Sequence, residues 1–208
     1  AKCTAVISGG DLTIAHDTTS GTSYTGNTCP HILRTFVPPS GKMQWVERIR
    51  KSLGASADDL VFWYLGDTAN QLDIGFDIIN VSGSSFSLRA IVNAALPVAA
   101  PVTGANLATA TIGWWIRVTV DPFSTTYTLE YATGATDPPA DSGWTFAARG
   151  PVSGLAGPIG TNLWRIARGV VRASGVGVTG IFTLGSEKFG AGDGFVSTAP
   201  FLGRGFAT

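Results

Sequence analysis

An all-β fold, an antiparallel two-sheet jelly-roll sandwich, is predicted for this 208-residue chain on three observations. Apolar residues recur with a period of two in one segment after another. The 27 glycines and 11 prolines supply turns for many short strands. Hydrophobic residues make up 44% of the chain, enough for one large core, and sandwiches of this length often form a single domain.

Residues 1–29 read as an N-terminal segment, 30–189 as the sandwich and 190–208 as a C-terminal tail. Residues 42–53 are ambiguous. Met43, Val46, Ile49 and Leu53 line one side of a helix, whereas a strand puts Trp45 and Ile49 on the same side as Glu47 and Lys51. Propensity favours helix and the surrounding pattern favours strand, so both stay open. Residues 60–65 form a continuous apolar strand ended by Gly66 and Asp67. Leu72, Ile74, Phe76 and Ile78 alternate with Asp73, Gly75 and Asp77; Phe86, Leu88, Ala90 and Val92 alternate with Ser87, Arg89 and Ile91. Trp114, Ile116, Val118 and Val120 face one way, and Trp115, Arg117 and Thr119 the other. Beyond a turn at Asp121-Pro122, Tyr127, Leu129 and Tyr131 complete the same core face, with Thr128 and Glu130 outside. Trp144 to Phe146 starts a short strand, and residues 164–172 and 176–184 close the set.

Charge narrows the function classes. Charged residues are 13% of the chain, about half the usual share, which suits a surface partly covered by neighbours. The 14 basic and 14 acidic residues cancel, so no overall field draws nucleic acid or an anionic membrane. No run of 18 apolar residues marks a membrane-spanning helix, and residues 1–4 lack the apolar core of a signal peptide. Cys3 and Cys29 are the only cysteines. A disulfide between them that ties down the N-terminal segment and two free thiols are both open; two thiols alone make no metal site.

The segment Trp114-Trp115-Ile116-Arg117-Val118-Thr119-Val120, a turn, Tyr127-Thr128-Leu129-Glu130-Tyr131, and then Trp144-Thr145 resembles the penultimate hairpin of the concanavalin A-like lectin/glucanase superfamily. Gly66-Asp67 after a buried aromatic strand is also similar. The likeness runs over residues 30–190 in pattern and is specific in about 30 of them. It implies two curved antiparallel sheets with a concave face that often holds sugar.

Catalytic sets are missing at the level of sequence. A retaining glucanase needs two carboxylates across the scissile bond, yet Glu47, Glu130 and Glu187 have no carboxylate at i+2 or i+4. Asp73 and Asp77 share a strand face with Gly75 between them and read as solvated. His16 and His31 read as surface residues, and no GxSxG elbow occurs. The expectation is therefore no enzymatic activity, no cofactor and no resident metal, although Gly66-Asp67-Thr68 and Gly192-Asp193-Gly194 offer loop oxygens of the kind calcium uses. Arg48, Arg50 and Lys51, and then Arg165, Arg168 and Arg172, read with Glu47 as outer-face charges.

The function expected is structural: a protein of a virus particle, bacteriophage by preference, as a capsid decoration or tail-associated component located in the virion. Assembly contacts with identical subunits and other virion proteins are expected at Leu96, Val98 and Val102 in the uncharged stretch 93–112, and at Phe201, Leu202 and Phe206 in the tail. The alternative is an extracellular or receptor-binding lectin-like module that stacks glycan on Trp115 and Trp144; against it stands the reading that a second layer or a neighbour covers both tryptophans.

Overall fold

The computed structural model describes residues 3–16, 31–36, 41–51, 60–67, 73–82, 85–92, 113–121, 126–133, 137–151, 164–171, 178–189 and 196–198. In chain order the strands are β1 (Cys3–Ser8), β2 (Asp11–His16), β3 (His31–Phe36), β4 (Met43–Lys51), β5 (Leu60–Asp67), β6 (Asp73–Ser82) and β7 (Ser85–Val92). They continue with β8 (Trp114–Asp121), β9 (Thr126–Thr133), β10 (Thr145–Pro151), β11 (Trp164–Val171), β12 (Val178–Phe189) and β13 (Val196–Thr198). Among the described residues the only helical turn is a 3-10 turn at Asp141–Gly143.

Two antiparallel sheets face each other. The larger runs β1-β2-β12-β4-β8-β9-β10, with β13 added to the far half of β12, and the smaller runs β3-β11-β5-β6-β7. The all-β jelly-roll reading holds, and the four alternating segments become β6, β7, β8 and β9. Trp114, Ile116, Val118, Tyr127 and Leu129 line one core face, as the alternation requires. Opposite them pack Val61, Trp63 and Leu65 of β5 and Ile74, Phe76 and Ile78 of β6. β1 and β2 also join the larger sheet, so residues 3–16 belong to the sandwich itself. The turn between them is Gly9-Gly10, with φ of +59° and +87°. Two successive positive φ values suit the right-handed twist of a tight hairpin, and glycine reaches them without strain.

Residues 43–51 settle as strand, and the inner side of that strand departs from expectation. Met43, Trp45, Glu47, Ile49 and Lys51 all point into the core. Glu47, Lys51 and Arg168 are therefore not outer-face charges. Arg168, on the facing sheet, donates from Nε to Glu47 Oε1 and from Nη2 to Oε2, each at 2.7 Å. Trp63 Nε1 donates to the same Oε2 at 2.7 Å. A buried carboxylate survives only when its lone pairs are satisfied, and here three donors satisfy them. Lys51 lies with its ammonium 5.2 Å from the centroid of the Phe86 ring.

Other polar expectations change for the same reason, that burial and long-range pairing are invisible in a local pattern. His16 is buried on the inner side of β2, not at the surface. Asp77 is buried rather than solvated, and Arg89 grips it through Nε at 2.7 Å and Nη2 at 2.6 Å. Burial pushes the Asp77 carboxyl up in spite of the Arg89 bonds and a weaker one from Tyr64. The side chains of Asp73 and His31 lie outside the described residues.

Candidate functional site

Alternation gives the larger sheet an outward set of side chains. From β4 come Gln44, Val46, Arg48 and Arg50, and from β8 Trp115, Arg117 and Thr119. Thr128, Glu130 and Ala132 follow on β9 and Phe146 on β10, while Asp11 and Thr183 stand on β2 and β12. This face stays half open. Val46, Arg48, Trp115 and Ala132 are buried on it, and on the smaller sheet the outward Phe62, Asp77, Ser87, Ile91 and Ala167 are buried while Tyr64, Ile79, Arg89 and Arg165 are half-buried. What sets the larger sheet apart is Phe146, the one large aromatic exposed among the described residues.

Two polar networks organise the open face. Near β2, Arg50 Nη2 donates to Asp11 Oδ2 at 2.6 Å and to Thr183 Oγ1 at 2.8 Å, and the Thr183 hydroxyl donates to Asp11 Oδ1. Partial burial pushes the Asp11 carboxyl up, but the bonds from Thr183 and Arg50 outweigh it and hold the carboxyl below its ordinary value. Burial, and then the neighbouring Arg50 charge, pull Arg48 down, with Asp11 opposing.

The second network stands across β8, β9 and the 3-10 turn. Arg117 donates to Glu130 from Nε at 2.6 Å and from Nη2 at 2.8 Å, and from Nη1 to Asp141 at 3.0 Å. Its guanidinium carbon sits 4.6 Å from the centroid of the Trp144 ring. Gln44 Nε2 donates to Thr119 Oγ1 at 3.2 Å one row away. Phe146, directly opposite Glu130 in the β9–β10 register, is 61% exposed.

The two aromatic residues expected to stack on sugar fare differently. Trp115 is 2% exposed and is no free platform. It packs with Val46, Ala132 and Trp144 in a small second apolar layer on the outside of the sheet. Gly185, at a bulge in β12, makes room for it: a Cβ there would lie 2.6 Å from Trp115 Cζ3 and 2.7 Å from the Val46 carbonyl oxygen. Trp144 is half-buried, with Arg117 over its ring. Phe146 was missed because the sequence marked it only as strand; a bulge between Phe146 and Ala148 turns it outward while Ala148 stays in the core. Glu130 does gain a carboxylate neighbour, Asp141, through the shared Arg117 and not along its own strand. Leu96, Val98, Val102, Phe201, Leu202, Phe206 and Cys29 lie outside the described residues, as does the side chain of Cys3.

No protein-family model matches the chain, and no curated protein matches it. Solved structures do. Alginate lyase A1-II′, a member of polysaccharide lyase family 7, superposes with a TM-score of 0.54 at 9% identity, covering 88% of this chain and 81% of that one. Peanut lectin superposes with a TM-score of 0.51 at 10% identity, covering 88% and 90%. The CBM2 module of the evolved Dit of Lactobacillus casei BL23 phage J-1 reaches 0.48 at 13% identity over 87% and 79%, too slight a likeness to bear on function. The lyase corrects one expectation. The lack of a glutamate pair predicts no enzymatic activity, but a polysaccharide lyase uses the same fold, so neither the architecture nor that lack excludes catalysis. At such identity the fold alone does not show catalysis either. The chain is a two-sheet antiparallel jelly-roll sandwich, an architecture it shares with both a lectin and a polysaccharide lyase.

Proposed function

We propose that this chain binds saccharide on the outer face of its larger sheet, with the ligand lying against Phe146 and Trp144. The observation that carries the reading is Phe146: a 61% exposed ring opposite Glu130, the carboxylate that Arg117 grips from the next strand. A sugar presents apolar C–H faces and a rim of hydroxyls. It needs a flat ring for the first and fixed donors and acceptors for the second. Arg117 is already held by two carboxylates, so the polar rim is in place before the ligand arrives and little ordering entropy is lost on binding. The shared fold with peanut lectin supports the reading. On this reading the protein works outside the cell.

A glycan array, followed by calorimetric titration with the best-bound oligosaccharide, tests it. Phe146→Ala is expected to weaken binding at least tenfold, about 1.4 kcal/mol, with the fold unchanged. Equal affinity for both proteins removes the proposal.

A second reading, a virion protein bound to identical subunits and other particle proteins, is favoured by one observation: the uncharged, exposed edge strand β1. Purification of native particles that lack the chain would remove it.

A further inference from the structure

The arginines of the two sheets divide by what they already hold. Arg50 grips Asp11, Arg89 grips Asp77, Arg117 grips Glu130 and Asp141, and Arg168 grips Glu47. Arg149, exposed on β10, pairs with no carboxylate among the described residues. Edge protection alone does not account for its charge. The bulge between Phe146 and Ala148 and the terminal Pro151 already keep β10 from pairing with another strand.

The place of Arg149 gives its charge a use. Phe146 stands opposite Glu130, and Arg149 stands opposite Thr128, two residues along β9. The bulge takes up the extra residue of β10, so Phe146 and Arg149 share the outward face while Ala148 stays in the core. Two residues of strand span about 7 Å, a gap that an arginine side chain bridges. The two rows differ in charge. Glu130 and Arg117 share the row of Phe146, and Asp141 closes on Arg117 from the 3-10 turn. The row of Arg149 is otherwise neutral: the half-buried Thr128 and Thr119, then Gln44. Asp121, one row further on, lies on β8, two strands from β10.

We infer that the saccharide is an acidic one, and that Arg149 grips a carboxylate or sulfate group on the sugar seated against Phe146. Arg149 is then a specificity-determining residue. This rests on the saccharide reading and names the ligand class within it. A guanidinium presents paired N–H donors that match two oxygens of an oxyanion. Arg117 has already turned its fork onto Glu130, so a ligand's acid group would have to displace that carboxylate. Arg149 has no such bond to lose. The sugar's hydroxyls fall to the other side of the ring. Asp141 is 94% exposed and meets Arg117 through Oδ1, which leaves Oδ2 to accept from a hydroxyl. An acid group placed there would be repelled, so the two charges set one orientation of the ligand.

Calorimetric titration of the full chain with two matched pairs of ligands tests this. One pair is an oligouronate and its carboxyl-reduced form; the other is a sulfated oligosaccharide and its desulfated form. The acidic member of at least one pair is expected to bind about tenfold tighter or more, and the pair that shows it tells carboxylate from sulfate. In Arg149→Gln that preference is expected to vanish. Arg149→Lys, which keeps the charge without the fork, is expected to retain part of it. Arg149 is exposed, so both variants should keep the circular-dichroism spectrum of the wild type. Equal binding of both members of both pairs by the wild type overturns the inference and leaves the saccharide reading standing, whereas binding of none removes both. A preference that survives Arg149→Gln also overturns it, since another group then reads the acid.

Discussion

Two arginine–glutamate forks in this molecule share one geometry and differ in their surroundings. Glu47 and Arg168 meet between the sheets with side chains 4% and 7% exposed; Glu130 and Arg117 meet on the outer face at 20% and 11%. Each is bidentate, with every bond between 2.6 and 2.8 Å. Inside, the pair bridges facing sheets and completes itself with Trp63, leaving nothing for a ligand. Outside, it stays within one sheet and its arginine spreads onto Asp141 and Trp144. The same chemistry acts as a bolt in one place and as a prepared surface in the other. Solvent decides between them.

The largest expected effect tests the inner fork. Glu47→Ala strips Arg168 of its buried counter-charge and should lower stability by about 3–5 kcal/mol, read from chemical denaturation. Ile116→Ala should cost about 2–5 kcal/mol, because it opens a cavity in the core that the fork traverses. Glu130→Ala, in the outer fork, should cost about 1 kcal/mol or less while still weakening saccharide binding. Equal losses for Glu47→Ala and Glu130→Ala would erase the distinction between the forks.

The smallest effect sharpens it with pH. The folded pKa of Asp11 lies below its ordinary value of 3.8, so the ionised carboxylate favours the fold. That contribution is present above about pH 4 and is lost as pH falls through the lowered value. The stability gap between wild type and Asp11→Asn should therefore shrink on acidification from about pH 5 to pH 2. A gap that widens would mean that the Thr183 and Arg50 bonds do not favour the ionised form.

Much of the fold was legible because its strands obey a period of two, and Trp114 to Val120 and Tyr127 to Tyr131 needed no more than that. β4 was not, since its inner side carries Glu47 and Lys51. The partner that makes Glu47 admissible is Arg168, 121 residues away on the other sheet. No local pattern announces such a pairing. Trp115 shows the converse limit: alternation turned it away from the core and allowed for a second layer over it, but could not tell that Val46, Ala132 and Trp144 form that layer. Phe146 escaped because a bulge, not a period, decides where it points.

The place of β12 has a consequence for how the chain is made. It lies between β2 and β4, two strands formed from the first quarter of the sequence, yet it comes from the last. While the ribosome is still translating the middle of the protein, β2 and β4 have no strand between them, and each presents a bare edge. Long-range pairing of this kind slows folding and leaves unpaired edges open to the wrong partner. Aggregation on overexpression should thus be relieved more by slower synthesis or by chaperones that hold nascent chains than by any substitution in the finished core.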